Sequence, residues 1–310
     1  MKKEKLILHV NNWCNTGGVP SFIYSMSRAF PEFQHVMCSI QEAEEYELVD
    51  YSRIWGIRYM QAPIITRELI ESIRPSIVIL HNITRDKVQG YGWDVFYDVR
   101  TIFIHHNLIK DKPKMHINLE WYVSDWVKGD NKDGVVIPPC IYSPPYIDIV
   151  RPFRDKMVIG RIQSRTRGDV TDETIEMLDN ISGTDSFIVS PTKGNRVRPG
   201  RMPEFLNKID VLAMFTNGTE SWSMVTTEAN LSGIPVVALR RNDGLTEQLN
   251  QSGGGLLVNT KQGFIEALEQ LRDDELQRKT LSSAGREWCL ENATEKRLRK
   301  ELVDYFLDWL

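Results

Sequence analysis

The sequence predicts an α/β protein made of two doubly wound halves, and three observations carry that prediction. Short apolar, β-branched runs alternate along the chain with stretches of helical periodicity, the pattern of strand–helix–strand units around parallel sheets. Glycines close the early strands, at Gly17-Gly18 and at Gly160, where such units turn from strand to helix. A run containing Pro138, Pro139, Pro144 and Pro145 interrupts the alternation near the middle of the 310 residues, a length that itself suggests two domains.

In order, Lys5 to Val10 reads as the first strand, and Gly17-Gly18 precedes a helix whose Phe22, Ile23, Met26 and Phe30 fall on one face. The glycines lack the third member and spacing of a dinucleotide fingerprint. His35 to Ile40 and Ile54 to Tyr59 are short strands, Thr66 to Ile73 is a helix, and Ile77 to Leu80 is a strongly apolar strand ending at His81-Asn82. Thr101 to Ile104 is another strand, ending at His105-His106-Asn107. Histidines at strand ends can meet a ligand, whereas His9, inside the first strand, reads as a satisfied core residue. Trp121 to Trp126 runs from a strand into a helix, and the proline-rich connection follows.

The second series opens with Met157 to Arg161, a strand ending in Gly160-Arg161, and continues with Phe187 to Ser190. Val211 to Phe215 is the next, followed by Glu220-Ser221-Trp222-Ser223 and a helix carrying Glu228, expected to begin near Trp222. Ser232-Gly233 and Pro235 end that helix before the strand Val236 to Leu239. Lys261 to Leu271, Asp274 to Leu290 and Thr294 to Leu310 are amphipathic and charged. The expected division is residues 1–143, 144–292 and a last helix over 293–310.

Hydrophobic residues make up 41% and charged residues 26% of the chain, ordinary values for a globular protein. No apolar run approaches the ~20 residues of a membrane span. The basic start MKKEKLILHV carries too short an apolar stretch for a secretory signal. The four cysteines are scattered and suggest neither a metal cluster nor an oxidising compartment, so the expected location is cytoplasmic, with peripheral attachment to a membrane left open. A net charge of -4 argues against a general nucleic-acid coat. Local charge differs: Arg151, Arg154, Lys156, Arg161, Arg165 and Arg167 form one basic cluster, and Lys193, Arg196, Arg198 and Arg201 another, which suggests a confined anion site.

Glu220 and Glu228, eight positions apart beyond an apolar strand, resemble the Glu-x7-Glu signature of the retaining family 4 glycosyltransferases. Gly160-Arg161 with Arg167-Gly168 resembles that family's Gly-Arg … Lys-Gly pair, with arginine in place of lysine and one extra residue of spacing. Val123-Ser124, Val135 to Pro139, Asp243 to Glu247 and Gly253 to Val258 are similar to further family elements, so the resemblance covers most of the chain. It implies two Rossmann-like domains with parallel sheets facing across a cleft (the GT-B fold), an acceptor-side amino-terminal domain, a nucleotide-sugar-binding carboxy-terminal domain, and a last helix that returns to the first. It implies transfer of a hexose from a nucleotide-diphosphate sugar to an acceptor hydroxyl with retained configuration.

In the residue roles so implied, Glu220 holds the donor hexose and Glu228 the ribose. The backbone of Ser221, Trp222, Ser223, Met224 and Val225 meets the diphosphate. Arg161 and Arg167 clamp it, with Arg165 competing for the second place. Gly17 and Gly18 approach the donor from the first domain, and His106 contacts the sugar, with His105 as the alternative. The chain departs from the family in carrying Ser221-Trp222-Ser223 where glycines flank an aromatic, and Val19-Pro20-Ser21 after Gly18. No Asp-x-Asp triplet occurs, which favours a site without a metal, and no cofactor is expected beyond the donor, a UDP-sugar ahead of a GDP-sugar. The acceptor, whether glycan, lipid-linked, small-molecule or modified base, stays open. A DNA-base-modifying transferase and a degenerate nucleotide- or glycan-binding module are the alternatives.

Overall fold

The computed structural model describes residues 5–12, 17–41, 55–89, 92–108, 111–149, 152, 154–163, 170–190, 195, 197, 200–216 and 218–307. The chain forms two compact units, Met1–Tyr142 together with Glu295–Leu310, and Ser143–Thr294.

In the first unit the strands are β1 (Leu6–Asn11), β2 (Gln34–Ser39), β3 (Arg58–Gln61), β4 (Ile77–His81), β5 (Arg100–His105), β6 (Leu119–Tyr122) and β7 (Val135–Val136). They pair in the order β3-β2-β1-β4-β5-β6-β7, all parallel. β1 and β4 are buried along nearly their whole length, as unbroken apolar runs must be when helices cover both faces. Helices α1 (Gly18–Ala29), α2 (Arg67–Ile73), α3 (Gly92–Val95) and α4 (Asp125–Lys128) complete the crossovers. Thr66 caps α2 and Ser124 caps α4, each side chain accepting a backbone N–H three residues on.

The third strand differs from the expectation of Ile54 to Tyr59. Trp55 and Ile57 are instead buried against Ile23 and Met37 ahead of the strand, and Gly56 between them turns at φ 67°. Their apolar character comes from packing rather than pairing.

The second unit opens with the single turn α5 (Pro144–Ile147) and continues as β8 (Met157–Ile162), α6 (Asp172–Asp179), β9 (Thr184–Val189), α7 (Met202–Leu206), β10 (Val211–Met214), α8 (Met224–Leu231), β11 (Val236–Leu239), α9 (Gly244–Ser252), β12 (Gly255–Val258), α10 (Lys261–Asp273) and α11 (Glu275–Asn292). Its parallel sheet runs β12-β11-β10-β8-β9. The two parallel α/β sheets are the architecture the sequence predicts.

Both sheets reverse their order once, between β1 and β4 and between β8 and β10. At such a reversal the loops beyond the carboxyl ends of the strands diverge and leave room for a ligand. His81 ends β4, Arg161 lies near the end of β8, and Glu220 follows β10.

The last helix, α12 (Glu295–Leu307), belongs to the first unit. Phe306 is fully buried and stacks on Phe30 at 4.3 Å, and Arg299 donates to the Ala29 carbonyl at 2.8 Å and to Glu32 at 3.0 Å. Phe306 therefore packs into the interior of this unit.

Candidate functional site

In the second unit the site is built around the start of α8. The helix begins at Met224, two residues later than the sequence suggested, because Ser223 takes the cap position: its Oγ accepts from the Thr226 amide at 3.3 Å and from the Thr226 hydroxyl at 2.9 Å. With both lone pairs so used, Ser223 has only a proton left to offer a ligand. The Thr227 amide is taken by the Ser223 carbonyl. Met224 and Val225 follow in the first turn, half-buried, where N–H groups point out of the helix and carry its positive end.

Glu228 is the fifth residue of α8, little more than one turn in, closer to the helix start than a beginning near Trp222 implies. It is buried, and Tyr146 on α5 donates its phenol proton to Oε1 at 2.9 Å. Burial raises its pKa to about 7, opposed in part by that hydrogen bond. The carboxyl is therefore poised to lose its proton to a better set of donors.

Glu220 is half-buried in the loop ahead of the helix. Its backbone is held on both sides: the amide donates to Asp243 Oδ2 at 3.1 Å, and the carbonyl accepts from Leu245 at 3.2 Å. Asp243 is also the cap of α9, its Oδ1 accepting from Thr246 at 2.9 Å. Gln248, fully buried one turn on, accepts from the Ser223 amide at 3.2 Å and donates to the Thr227 hydroxyl at 2.9 Å. A Cβ on Gly244 would lie 1.7 Å from the Ser221 carbonyl oxygen, so only glycine lets α9 press against this loop. Asp243 lies in the Asp243 to Glu247 run that resembles a family element, and its cap pattern Asp243-x-x-Thr246 is legible locally, whereas Gln248 is a supporting residue that the sequence does not single out.

Ser221 and Trp222 are buried. The Trp222 indole donates to Thr227 Oγ1 at 3.2 Å and lies 6.1 Å from the Trp288 ring, so its ring serves the interior of the unit.

Arg161 is also buried: Nη1 donates to the Ile162 carbonyl at 2.6 Å and to Met214 Sδ at 3.6 Å. A Cβ on Gly160 would fall 2.4 Å from Ile209 Cδ1, so this glycine is required by packing. Arg165, Arg167 and Gly168 lie outside the described residues, as do Lys193, Arg196 and Arg198. Other cations of the two basic clusters meet acids nearby, Arg154 with Asp210 at 2.8 Å, Lys156 with Asp185 at 3.5 Å and Arg201 with Glu204 at 2.5 Å. Those charges are locally balanced, which removes them from a general anion patch.

In the first unit, Gly17 caps α1 through its backbone in an extended conformation, without a side-chain hydrogen bond, and Gly18 opens the helix, exposed. His106 stands beyond β5. Its amide and that of Asn107 donate to Asn82 Oδ1 at 2.8 and 3.3 Å, and Asn82 itself turns at φ 54° after β4. His106 Nε2 lies 2.9 Å from His81 Nδ1, and burial lowers its pKa to about 3, with His105 adding to the effect. His105 faces the other way, stacked on Tyr122 at 4.3 Å with Nε2 3.4 Å from Glu120. Glu120, with the His105 ring beside it and hydrogen bonds from Lys112 and Tyr122, is held down at about 2. The two neighbouring histidines thus sit in separate networks. Among the described residues no cluster of histidine, cysteine or carboxylate side chains is arranged to hold a metal ion, and no helix is long and apolar enough to cross a membrane.

No curated protein matches the chain in sequence. Residues 194–288, which contain β10, α8, α9 and the whole Glu220–Glu228 loop, match the model of the family described as glycosyl transferases group 1. Solved structures share the fold over nearly the full length. HepE of Anabaena, solved in complex with UDP and glucose, is 12% identical with a TM-score of 0.75, covering 98% of this chain and 100% of that one. Sucrose-phosphate synthase of Thermosynechococcus elongatus is 11% identical with a TM-score of 0.70, covering 98% and 99%. A glycosyltransferase of Rickettsia africae is 14% identical with a TM-score of 0.68, covering 99% and 98%. The chain has the GT-B fold of these structures, and the family match within its second unit is to glycosyltransferases.

Proposed function

We propose that the chain transfers a hexose from a UDP-sugar to an acceptor hydroxyl with retention of configuration and without a metal. The observation that carries this reading is the start of α8. A cap made by Ser223 leaves the first-turn amides of Met224 and Val225 directed outward, and the buried Glu228 lies one turn behind them. That combination suits a nucleoside diphosphate, whose phosphates take N–H donors at a helix end and whose ribose hydroxyls donate to a carboxylate. HepE, with the same fold, has been solved with UDP-glucose, which supports a uridine donor.

In this reading Glu228 binds the ribose as an anion, giving up the proton that burial lets it keep. Glu220, its backbone fixed by Asp243 and Leu245, holds hydroxyls of the hexose. Arg161 swings from the Ile162 carbonyl toward the diphosphate, joined by Arg165 or Arg167, and His106 accepts from a ligand hydroxyl. The acceptor oxygen attacks the anomeric carbon on the face the diphosphate leaves, and the departing phosphate oxygen takes the acceptor proton, so no protein nucleophile is needed. Positive charge and helix-end donors stabilise the leaving diphosphate where charge develops.

A thermal-shift screen of UDP, GDP and their glucose, N-acetylglucosamine and mannose conjugates tests the reading, followed by release of nucleotide from the stabilising donor. UDP and one UDP-sugar are expected to raise the melting temperature by mass action. Absence of stabilisation by every nucleotide in the panel would overturn it.

A further inference from the structure

Four histidines of the first unit form one continuous hydrogen-bonded line. His35 Nε2 is 3.1 Å from the Phe30 carbonyl, His35 Nδ1 is 2.9 Å from His9 Nε2, His9 Nδ1 is 3.1 Å from His81 Nε2, and His81 Nδ1 is 2.9 Å from His106 Nε2. Successive rings stack with centroids 5.2, 5.4 and 5.2 Å apart. The sheet register explains the line. His35 pairs with Ile7, two residues before His9; His81 pairs with Asn11, two after His9; Ile104 pairs with His81 and lies two before His106. Each step crosses one strand and advances two residues, so all four side chains share a face and run diagonally from the start of β2 to the end of β5. Phe22 of α1 closes over the line, its ring edge-on to His81 at 6.1 Å and to His106 at 5.7 Å.

The line has a direction. The Phe30 carbonyl can only accept, so His35 must carry its proton on Nε2. A neutral imidazole has one N–H, which leaves His35 Nδ1 an acceptor and obliges His9 to donate from Nε2. The same step repeats through His81 to His106. Only an imidazolium within the line could reverse the order. Burial opposes that at every ring: it holds His9 and His81 well below the usual histidine range and His35 near 4. The carboxylate facing the far end, Glu32, is engaged by Arg299. With a proton between each pair of nitrogens, the line is not a metal site.

We infer that His35, His9 and His81 are positioning residues that fix His106 as the neutral Nε2–H tautomer, so that its Nδ1 can only accept. A ligand hydroxyl meeting His106 is therefore the donor of that hydrogen bond, which excludes an ether or phosphate oxygen as its partner. This inference rests on the proposed transferase reading for the identity of the ligand, but not for the tautomer.

Two-bond ¹H–¹⁵N correlations of the full chain labelled with ¹⁵N-histidine distinguish the two tautomers and the imidazolium. The expected result is four neutral rings with the proton on Nε2 from pH 6 to 8, and a shift of His106 Nδ1 alone on addition of UDP-glucose. A His106 proton on Nδ1, or an imidazolium in that range, overturns the inference without any variant having to fold. A glutamine at position 9 can donate with its amide and accept with its carbonyl, so His9→Gln is expected to keep the His106 tautomer and most of the turnover. His9→Leu is expected to mix the tautomers and lower turnover about tenfold, the worth of one misdirected hydrogen bond. Equal loss in both variants overturns the positioning role. Correct tautomers in a wild-type chain that turns over no nucleotide-sugar would overturn the transferase reading and leave the polarity of the line standing.

Discussion

Tyr146 donates to Glu228 across 2.9 Å in a place so buried that Glu228 keeps its own proton up to about pH 7. Because the folded pKa lies above the unfolded value of 4.5, this group contributes stability that is complete below about pH 4.5 and is lost as pH rises through about 7. The full difference is on the order of 3 kcal/mol. Denaturant unfolding of the free chain at a series of pH values is expected to show the decline, and Glu228→Gln to flatten it. Tyr146→Phe, which removes the hydrogen bond that lowers the pKa, moves the decline to higher pH.

The same carboxyl couples nucleotide binding to pH. Ribose hydroxyls favour the carboxylate, so UDP binding at pH 6 is expected to release close to one proton. Calorimetry in two buffers of different ionisation enthalpy reads that number directly, and Glu228→Gln should abolish it. Equal heats in both buffers for the wild type would refute the ribose assignment.

Glu220 is held by its backbone, so its side chain can be removed without dismantling the loop. Glu220→Ala is expected to leave the unfolding midpoint within about 0.5 kcal/mol of the wild type. It should cut sugar transfer roughly 10- to 150-fold, the range of one hydrogen bond to a charged group. Near-normal turnover across a panel of donors would remove Glu220 from the site.

A Cβ at position 160 would collide with the Ile209 side chain. Gly160→Ala is expected to cost about 1–3 kcal/mol by overpacking. Adding Ile209→Ala should recover part of that loss, giving a favourable coupling in a double-mutant cycle. Simple additivity would show that the glycine is needed for something other than this packing.

Gly244 presses on the Ser221 carbonyl, so Gly244→Ala must push the Glu220–Ser223 loop away from α9. The expected signature is a raised KM for the nucleotide-sugar together with a loss of stability of at least about 1 kcal/mol. Asp243→Asn, which keeps the shape but weakens the cap and the tie to the Glu220 amide, should show the same signature in milder form.

The strands were legible because they are buried on both faces: Ile77 to Leu80 and Val236 to Leu239 need no partner to be recognised as such. Helix ends were less so. The start of α8 depended on which of Ser221 and Ser223 would take the cap, a choice made by Gln248 and Thr226 rather than by local preference. The third strand was misplaced because Trp55 and Ile57 are apolar for the sake of Ile23 and Met37, far away in the chain. His9 was readable as a core histidine, but its partners were not. They depend on the offset between parallel strands, and nothing in a single sequence states that offset. Arg161 was readable as a strand-end cation, while its turn toward the Ile162 carbonyl was not.

The last helix has a consequence for the making of the protein. Phe30 cannot stack until Phe306 exists, and the Ala29 carbonyl waits for Arg299, 270 positions later. Between the two segments of the first unit lie residues 143–294, a unit with its own sheet and its own core. At about 5–20 residues per second those 152 residues take about 8–30 s to synthesise, during which the cover of α1 is missing. The second unit can close on emergence; the first, begun earlier, is completed only after residues 295–307 have followed. A chaperone that shields Phe30 and Phe33 during that interval would raise the yield of folded protein, and one acting after residue 307 would not.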